Sequence, residues 1–320
     1  MPLLQVQGLT TQYRILRGWV KAAENVNFEI EKGEALGVVG ESGCGKTTVA
    51  LSILKILPQG GRVRSGKIIY DGTDLVPLKD KEMRKIRWKG ISIVFQGAMN
   101  ALNPVFKVGD QIVEAIRLHE PNVSKAEAWR RAEALFEMVG VESSRVRNYP
   151  HEFSGGMRQR ALIAMALASN PKLLIADEPG TALDVVVQAQ VLQLMRGLKE
   201  KLGLSMMVIS HDLSLVAEVC EKIAIMYAGH IVEIGDVESI FKEPLHPYTQ
   251  GLLGAFPSIK GERKKLTSIP GQPPDLLSPP TGCPFHPRCP YAMDVCKTAF
   301  PEMKQSSSGS SNHSVACYLY

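Results

Sequence analysis

The run Gly40-Glu41-Ser42-Gly43-Cys44-Gly45-Lys46-Thr47 has the spacing G-x-x-x-x-G-K-T. Its glycines let successive backbone N–H groups converge on phosphate oxygens. A helix starting at the end of the run adds positive potential there. In that chemistry Lys46 reaches the β- and γ-phosphates of a nucleotide, Thr47 offers a hydroxyl to Mg²⁺, and Thr48 closes the contact set. The motif needs a strand before it and a helix after it. Glu34–Val39 (EALGVV) is apolar enough for a buried strand, and Thr47–Leu57 reads as a helix closed by Pro58.

Two further stretches belong with a phosphate site. Leu173-Leu-Ile-Ala-Asp177-Glu178 is an apolar strand ending in two acids. Asp177 at its C-terminal edge is placed to hold a Mg²⁺ shell, and Glu178, one residue on, to polarise an attacking water. Phe153-Ser154-Gly155-Gly156 is a good N-cap followed by exposed backbone N–H groups, hence a second anion-binding helix start. One nucleotide does not need two such starts. Two chains meeting head to tail would, each completing the other's site.

The elements that position these residues alternate. Asn25–Glu31, Lys67–Tyr70 and Ser92–Phe95 read as strands, followed by the amphipathic helices Val108–His119 and Lys125–Val139 and a buried helix over Gly156–Ser169. The β/α rhythm returns with Leu173–Ala176, the helix Val187–Lys201, and strands Ser205–Ile209, Lys222–Tyr227 and His230–Ile234. Runs such as VVG, LLIA and MMVIS fit parallel strands buried on both faces. After about Pro244 prolines crowd the chain; one helix, Tyr248–Ala255, is expected there, and Ser306–Ser311 reads as a flexible link.

With 320 residues, 45% hydrophobic and 22% charged, the chain can bury a sizeable core, which excludes a disulfide-stapled mini-protein and extensive disorder. The longest apolar run, Ala161–Ala168, is far short of the ~20 residues of a bilayer span. The N-terminus lacks a charged-then-apolar signal layout. The net charge of +5 is mild, and its densest stretch, Arg62 to Lys89, reads as a solvated face; no nucleic-acid partner is expected.

Taken together, the chain resembles the ATP-binding subunits of ABC transporters over residues 1 to about 240. The resemblance rests on the phosphate loop, Gln96, S-G-G-x-x-Q from Ser154, the Asp177-Glu178 pair, Asp184 in Thr181-Ala-Leu-Asp184, and His211 in Ser210-His211-Asp212. It implies an α/β P-loop ATPase core (residues 1–96 and 170–243) with an N-terminal antiparallel β subdomain. A helical signature subdomain (97–169) and a Pro/Cys-rich extension (244–320) complete it. By the same resemblance Gln96 senses Mg²⁺ and the membrane domain. Ser154, Gly155 and Gly156 meet the partner subunit's γ-phosphate, Asp184 lies in the loop crossing the dimer interface, and His211 holds the γ-phosphate. Tyr13 fits the adenine-stacking aromatic best, with Trp19 as the alternative. Met157 and Gly180 depart from the commoner glutamine and threonine, but neither position handles phosphate, so an active ATPase is expected.

A finer resemblance is to the dipeptide/oligopeptide importers. It rests on Met99-Asn-Ala-Leu-Asn-Pro104 after Phe95-Gln96, on FSGGMRQR, on His246-Pro-Tyr-Thr249 and on Gly282-Cys-Pro-Phe-His-Pro-Arg-Cys-Pro290. It implies a second, paralogous ATPase subunit, two transmembrane permeases, indirectly an extracytoplasmic solute-binding protein, and a peripheral place on the cytoplasmic face of the membrane. Cargo stays open between peptides and, on the same machinery, oligosaccharides or nickel; a soluble cassette ATPase uncoupled from transport is the reading of another class.

Four of the six cysteines crowd the tail as Cys283-x5-Cys289-x6-Cys296-x20-Cys317. No close C-x2–4-C pair occurs, as structural zinc usually has, and loosely spaced thiolates with Cys-Pro at two positions suit an iron–sulfur cluster better. The resemblance implies [4Fe–4S]; zinc, with His286 or His313 as substitute ligands, is the alternative. Cys44 contributes its backbone, and Cys220 belongs to the core.

Overall fold

The computed structural model describes residues 1–97, 101–181, 183–254, 269–306 and 313–320. Met99, Asn100, Ala182, Ala255 and most of the Ser306–Ser311 link lie outside them. In chain order the elements are β1 (Leu4–Ile15), β2 (Gly18–Ile30), β3 (Ala35–Val39), α1 (Lys46–Ile53), β4 (Gly61–Tyr70), β5 (Thr73–Asp74), α2 (Asp80–Ile86) and β6 (Ile91–Val94). Then come α3 (Val108–His119), α4 (Lys125–Met138), α5 (Gly155–Ala166), β7 (Leu173–Asp177), α6 (Val185–Leu202), β8 (Ser205–Ser210) and α7 (Leu213–Ala217). The chain continues through β9 (Lys222–Tyr227), β10 (His230–Asp236), α8 (Val237–Lys242), α9 (Pro247–Gly254), α10 (Asp294–Thr298), β11 (Lys304–Gln305) and β12 (Ser314–Val315).

The chain forms two compact units. One comprises Met1–Leu3, Ile30–Ala35 and Pro77–Ile209. In it β6, β7 and β8 run parallel, with Val94 opposite Ala176 and Ala176 opposite Val208. Every residue of β7 and β8 is buried, as expected for strands covered on both faces. Helices α3 and α4 pack against each other, with Ile112, Ile116, Ala128, Ala132 and Phe136 fully buried. The charged stretch read as a solvated face contains a helix, α2: its Asp80 carboxylate receives hydrogen bonds from Arg84 Nε (2.9 Å) and Arg87 (2.7 Å), and only Met83 is buried. Alternating charges at i,i+4 supply a helix that lacks an apolar stripe.

The other unit comprises Leu4–Glu29, Leu36–Val76 and Ser210–Tyr320. It holds an antiparallel sheet in the order β2-β1-β4-β5. It also holds β3 parallel to β9, with β10 and β12 added antiparallel beyond β9. Helix α1 ends sooner than its sequence suggests, because Lys55 adopts a left-handed backbone (φ 51) that a helix cannot continue through.

The proline-rich tail is tied down from both ends by one buried carboxylate. Glu233 on β10 is fully buried and accepts from the backbone N–H groups of Leu245 (2.8 Å) and His246 (2.9 Å). His313 Nε2 lies 2.7 Å from the same carboxylate. A single side chain so fixes where the tail starts and where it returns as β12, replacing the large core that its prolines preclude. Among the described residues no helix is long and apolar enough to cross a membrane.

Candidate functional site

The phosphate loop is shaped by close backbone approaches. The parallel pairing of β3 with β9 carries the turn after Val39 onto the end of β9, where a Cβ at Gly40 would lie 2.1 Å from the Met226 carbonyl oxygen. Gly45 has φ +107, and a Cβ there would lie 1.9 Å from the Ala22 carbonyl oxygen. Neither position tolerates a side chain. Lys46 opens α1 and is buried; its Nζ donates to the carbonyls of Gly40 (2.6 Å) and Glu41 (3.0 Å), spanning the first turn of the loop. Ser42 and Gly43 form its exposed tip. Cys44 is buried, its N–H donates to the Glu41 carbonyl (3.3 Å), and burial pushes its thiol pKa up against the opposing pull of Lys46. Thr47 follows in the first turn of α1, and Thr48 accepts a hydrogen bond from Tyr13 Oη on β1 (3.2 Å). Trp19, the other aromatic candidate, has the guanidiniums of Arg62 and Arg64 at 4.7 and 4.8 Å from its ring, a cation–π arrangement. Of the two, Tyr13 is the one tied to the helix that follows the loop. His211 is exposed just after β8, where Asp212 caps α7 by accepting from the N–H groups of Ser214 and Leu215.

In the other unit, strand register assembles a second group. Val94 lies opposite Ala176, so Gln96 and Glu178 leave adjacent parallel strands side by side. Gln96 Nε2 donates to Glu178 Oε2 at 2.8 Å, and the Thr181 hydroxyl donates to the same oxygen at 2.8 Å. Glu178 has a left-handed backbone (φ 47), fixed by its N–H donating to the Ile209 carbonyl (2.9 Å). Asp177 is buried at the end of β7. Sequence reasoning missed Thr181, whose hydroxyl has no spacing signature of its own.

The same unit carries two capped helix starts. Ser154 Oγ accepts from the Met157 N–H (3.3 Å), and Gly155 and Gly156 form the first turn of α5. Asp184 caps α6 by accepting from the Val187 N–H (2.9 Å). These starts adjoin: a Cβ at Gly156 would meet Val187 Cγ1 at 2.7 Å. Beside them Val185 and Val186 are 79% and 68% exposed.

Cys283, Cys289, Cys296 and Cys317 line one pocket, whose wall they share with His246, Phe285, His286 and Tyr318. The Cys283 N–H donates to the Cys296 carbonyl (2.8 Å). Burial pushes the Cys283 thiol up to about 11 and raises those of Cys289 and Cys317 as well. Of the two histidines considered as substitute ligands, His286 lies at the cavity with Nδ1 2.9 Å from the Cys283 carbonyl. His313 is instead committed to Glu233. Among the described residues no three His, Cys, Asp or Glu side chains are gathered tightly enough to hold a single metal ion.

The profile described as ABC transporter matches residues 23–181. The oligopeptide transport ATP-binding protein OppD of Bacillus subtilis is 50% identical over 297 residues, covering 92% of this chain and 83% of that one. The chain belongs to the ABC transporter family. It is an ATP-hydrolysing cassette of that family. The dipeptide transport ATP-binding protein DppD of the same organism is 46% identical, covering 99% of this cassette and 94% of that protein. A second profile, oligopeptide/dipeptide transporter C-terminal region, matches residues 232–296. Among solved structures, a dimeric ATP-binding cassette in a post-hydrolysis state bound to ADP and Pi superposes with a TM-score of 0.66 at 28% identity, covering 73% of this cassette and 98% of that chain.

Proposed function

We propose that this cassette powers the import of di- and oligopeptides across a membrane, working with two transmembrane permeases and a second, paralogous cassette. The observation that carries the peptide reading is the match of residues 232–296 to the C-terminal region of oligopeptide/dipeptide transporters, beyond the generic cassette. The near full-length similarity to OppD and DppD supports it. A peripheral place on the cytoplasmic face follows from such an assembly. The exposed Val105 and Phe106 (70% and 55%), nine and ten residues past Gln96, offer an apolar contact for a permease, and Val185 and Val186 offer one for a second cassette.

Roles in hydrolysis follow residue by residue. The backbone of Gly40–Thr47 and the Lys46 ammonium bind the β- and γ-phosphates of ATP, and Tyr13 stacks on adenine. Thr47, Gln96 and Asp177 would hold Mg²⁺; a buried carboxylate at a strand end suits a divalent cation, which when bound offsets charge on the phosphates. Glu178 accepts a proton from the attacking water as its oxygen bonds to the γ-phosphorus and the β–γ bridging oxygen leaves with ADP. Gln96 and Thr181 orient that carboxylate. His211 contacts the γ-phosphate, and Ser154, Gly155, Gly156 and Asp184 serve the partner's nucleotide across the dimer.

The four tail thiols are proposed to hold a [4Fe–4S] cluster, with zinc as the lesser reading. What supports this reading is that the four cysteines line one apolar-walled pocket, and four thiolates are the donor number of such a cluster. Thiols whose ionisation burial resists need a cationic partner, which such a cluster supplies when bound. In a tail so poor in core its role is a structural staple.

One purification tests the assembly and the cluster together. The tagged chain, extracted from native membranes without oxygen, should bring down two multi-span proteins and a second cassette. It should also carry about four irons per chain with a broad absorbance near ~400 nm. Recovery of a lone chain would refute the transporter assembly; one zinc, or no metal, would refute the cluster.

A further inference from the structure

The mechanism above gives no role to the side chain of Glu41, the first variable residue of the phosphate loop, yet Glu41 is gripped from the C-terminal tail at three points. Arg288 donates to it through both terminal nitrogens, Nη1 to Oε2 at 2.7 Å and Nη2 to Oε1 at 3.0 Å. The Glu41 N–H donates to Tyr248 Oη at 2.8 Å. Both gripping side chains are buried: Tyr248 is 0% and Arg288 8% exposed.

The grip is itself held. Arg288 Nε donates to the Pro270 carbonyl (2.8 Å), and Nη1 also donates to Tyr227 Oη (3.2 Å). Tyr227, Tyr248 and Phe285 pack ring against ring at 4.6 to 5.4 Å between centroids. Arg288 therefore has a fixed fork, not a mobile surface side chain, and a bidentate guanidinium–carboxylate pair fixes direction as well as distance. Lys46 reaches the carbonyl of the same Glu41. The first peptide units of the loop are so constrained through side chain, N–H and carbonyl at once.

We infer that Arg288 and Tyr248 are positioning residues for the phosphate loop: the tail holds Glu41 so that the N–H groups following it are already aimed before nucleotide arrives. The inference rests on the reading that this loop binds ATP. An anion site whose backbone must be ordered on binding loses affinity relative to a preorganised one. Arg288 is one residue from Cys289 and Phe285 lines the thiol cavity, so the tail meets the loop and the cavity through the same short segment.

The test is calorimetric titration of the full-length chain with ADP and with a non-hydrolysable ATP analogue, run well below each variant's melting temperature. Arg288→Ala should raise Kd about tenfold, since the partly buried Glu41 carboxylate loses the fork that orients the loop and the loop must then be ordered on binding. In a Glu41→Ala background the same substitution should add nothing, because Arg288 acts through Glu41. Arg288→Lys, which keeps charge without the fork, and Tyr248→Phe, which removes the acceptor of the Glu41 N–H, should each weaken binding and stand in if Arg288→Ala does not fold. Unchanged Kd in these variants, or an equal loss with and without Glu41, would overturn the inference while the wild type still binds nucleotide. A wild type that binds none would overturn the ATP reading itself and the inference with it.

Discussion

Glu178→Gln lowers the ATP turnover number by about 10²- to 10⁴-fold, the contribution of a positioned general base. The amide keeps the shape of the side chain but has no basic lone pair for the proton of an attacking water. The carboxylate is not a loose surface acid. Gln96 and Thr181 both donate to one of its oxygens at 2.8 Å, and the left-handed backbone at this residue is fixed by the Ile209 carbonyl. Nucleotide affinity, measured by titration, should stay near wild type, because no phosphate contact is assigned to this side chain. Steady-state phosphate release checks the first half. Turnover within a factor of a few of wild type would remove Glu178 from the chemistry and leave water activation to another group.

Lys46→Ala acts one step earlier. It should weaken ATP binding by about 10- to 100-fold, the range of about 1.5–3 kcal/mol for a hydrogen bond to a charged group. The ammonium does more than carry charge, since it already joins the Gly40 and Glu41 carbonyls across the turn. Its loss should therefore relax the loop as well as remove a phosphate partner, and both kcat and KM for ATP should worsen. A loss confined to kcat, with ATP binding intact by titration, would contradict this role.

How much of this was legible depends on whether a feature is local. The strand–turn–helix around Gly40–Thr47 follows from an apolar run, glycines and a helix start within twenty residues, and the chain folds so. Gln96 rests on the family resemblance alone, and its contact with Glu178, 82 residues away, depends on a strand register that no local pattern carries. Ser154 announces itself as a cap; Asp184 rests on the family resemblance, and its capping of α6 appears only in the fold. What escaped was non-local or unpatterned. Helix α2 lies in a charged stretch whose support is ion pairing and not burial. The early end of α1 turns on the backbone of one lysine, Lys55, which no propensity marks. The attachment of the tail depends on buried polar pairs far apart in sequence, Glu233 with His313 and Glu41 with Arg288, the latter 247 residues apart. A lone arginine in a proline-rich run carries no sign of which carboxylate it will meet, and His313, considered beside the cysteines, proves to serve Glu233.

The measurement closest to the central claim is ATP-dependent uptake of a radiolabelled oligopeptide into vesicles carrying the complex purified through this chain, with its solute-binding protein supplied on the outer face. The account predicts accumulation that requires ATP inside, that unlabelled peptide competes away and that oligosaccharide or nickel does not, and that disappears with Glu178→Gln. ATP turnover without peptide accumulation, in vesicles that do take up an oligosaccharide or nickel, would contradict it.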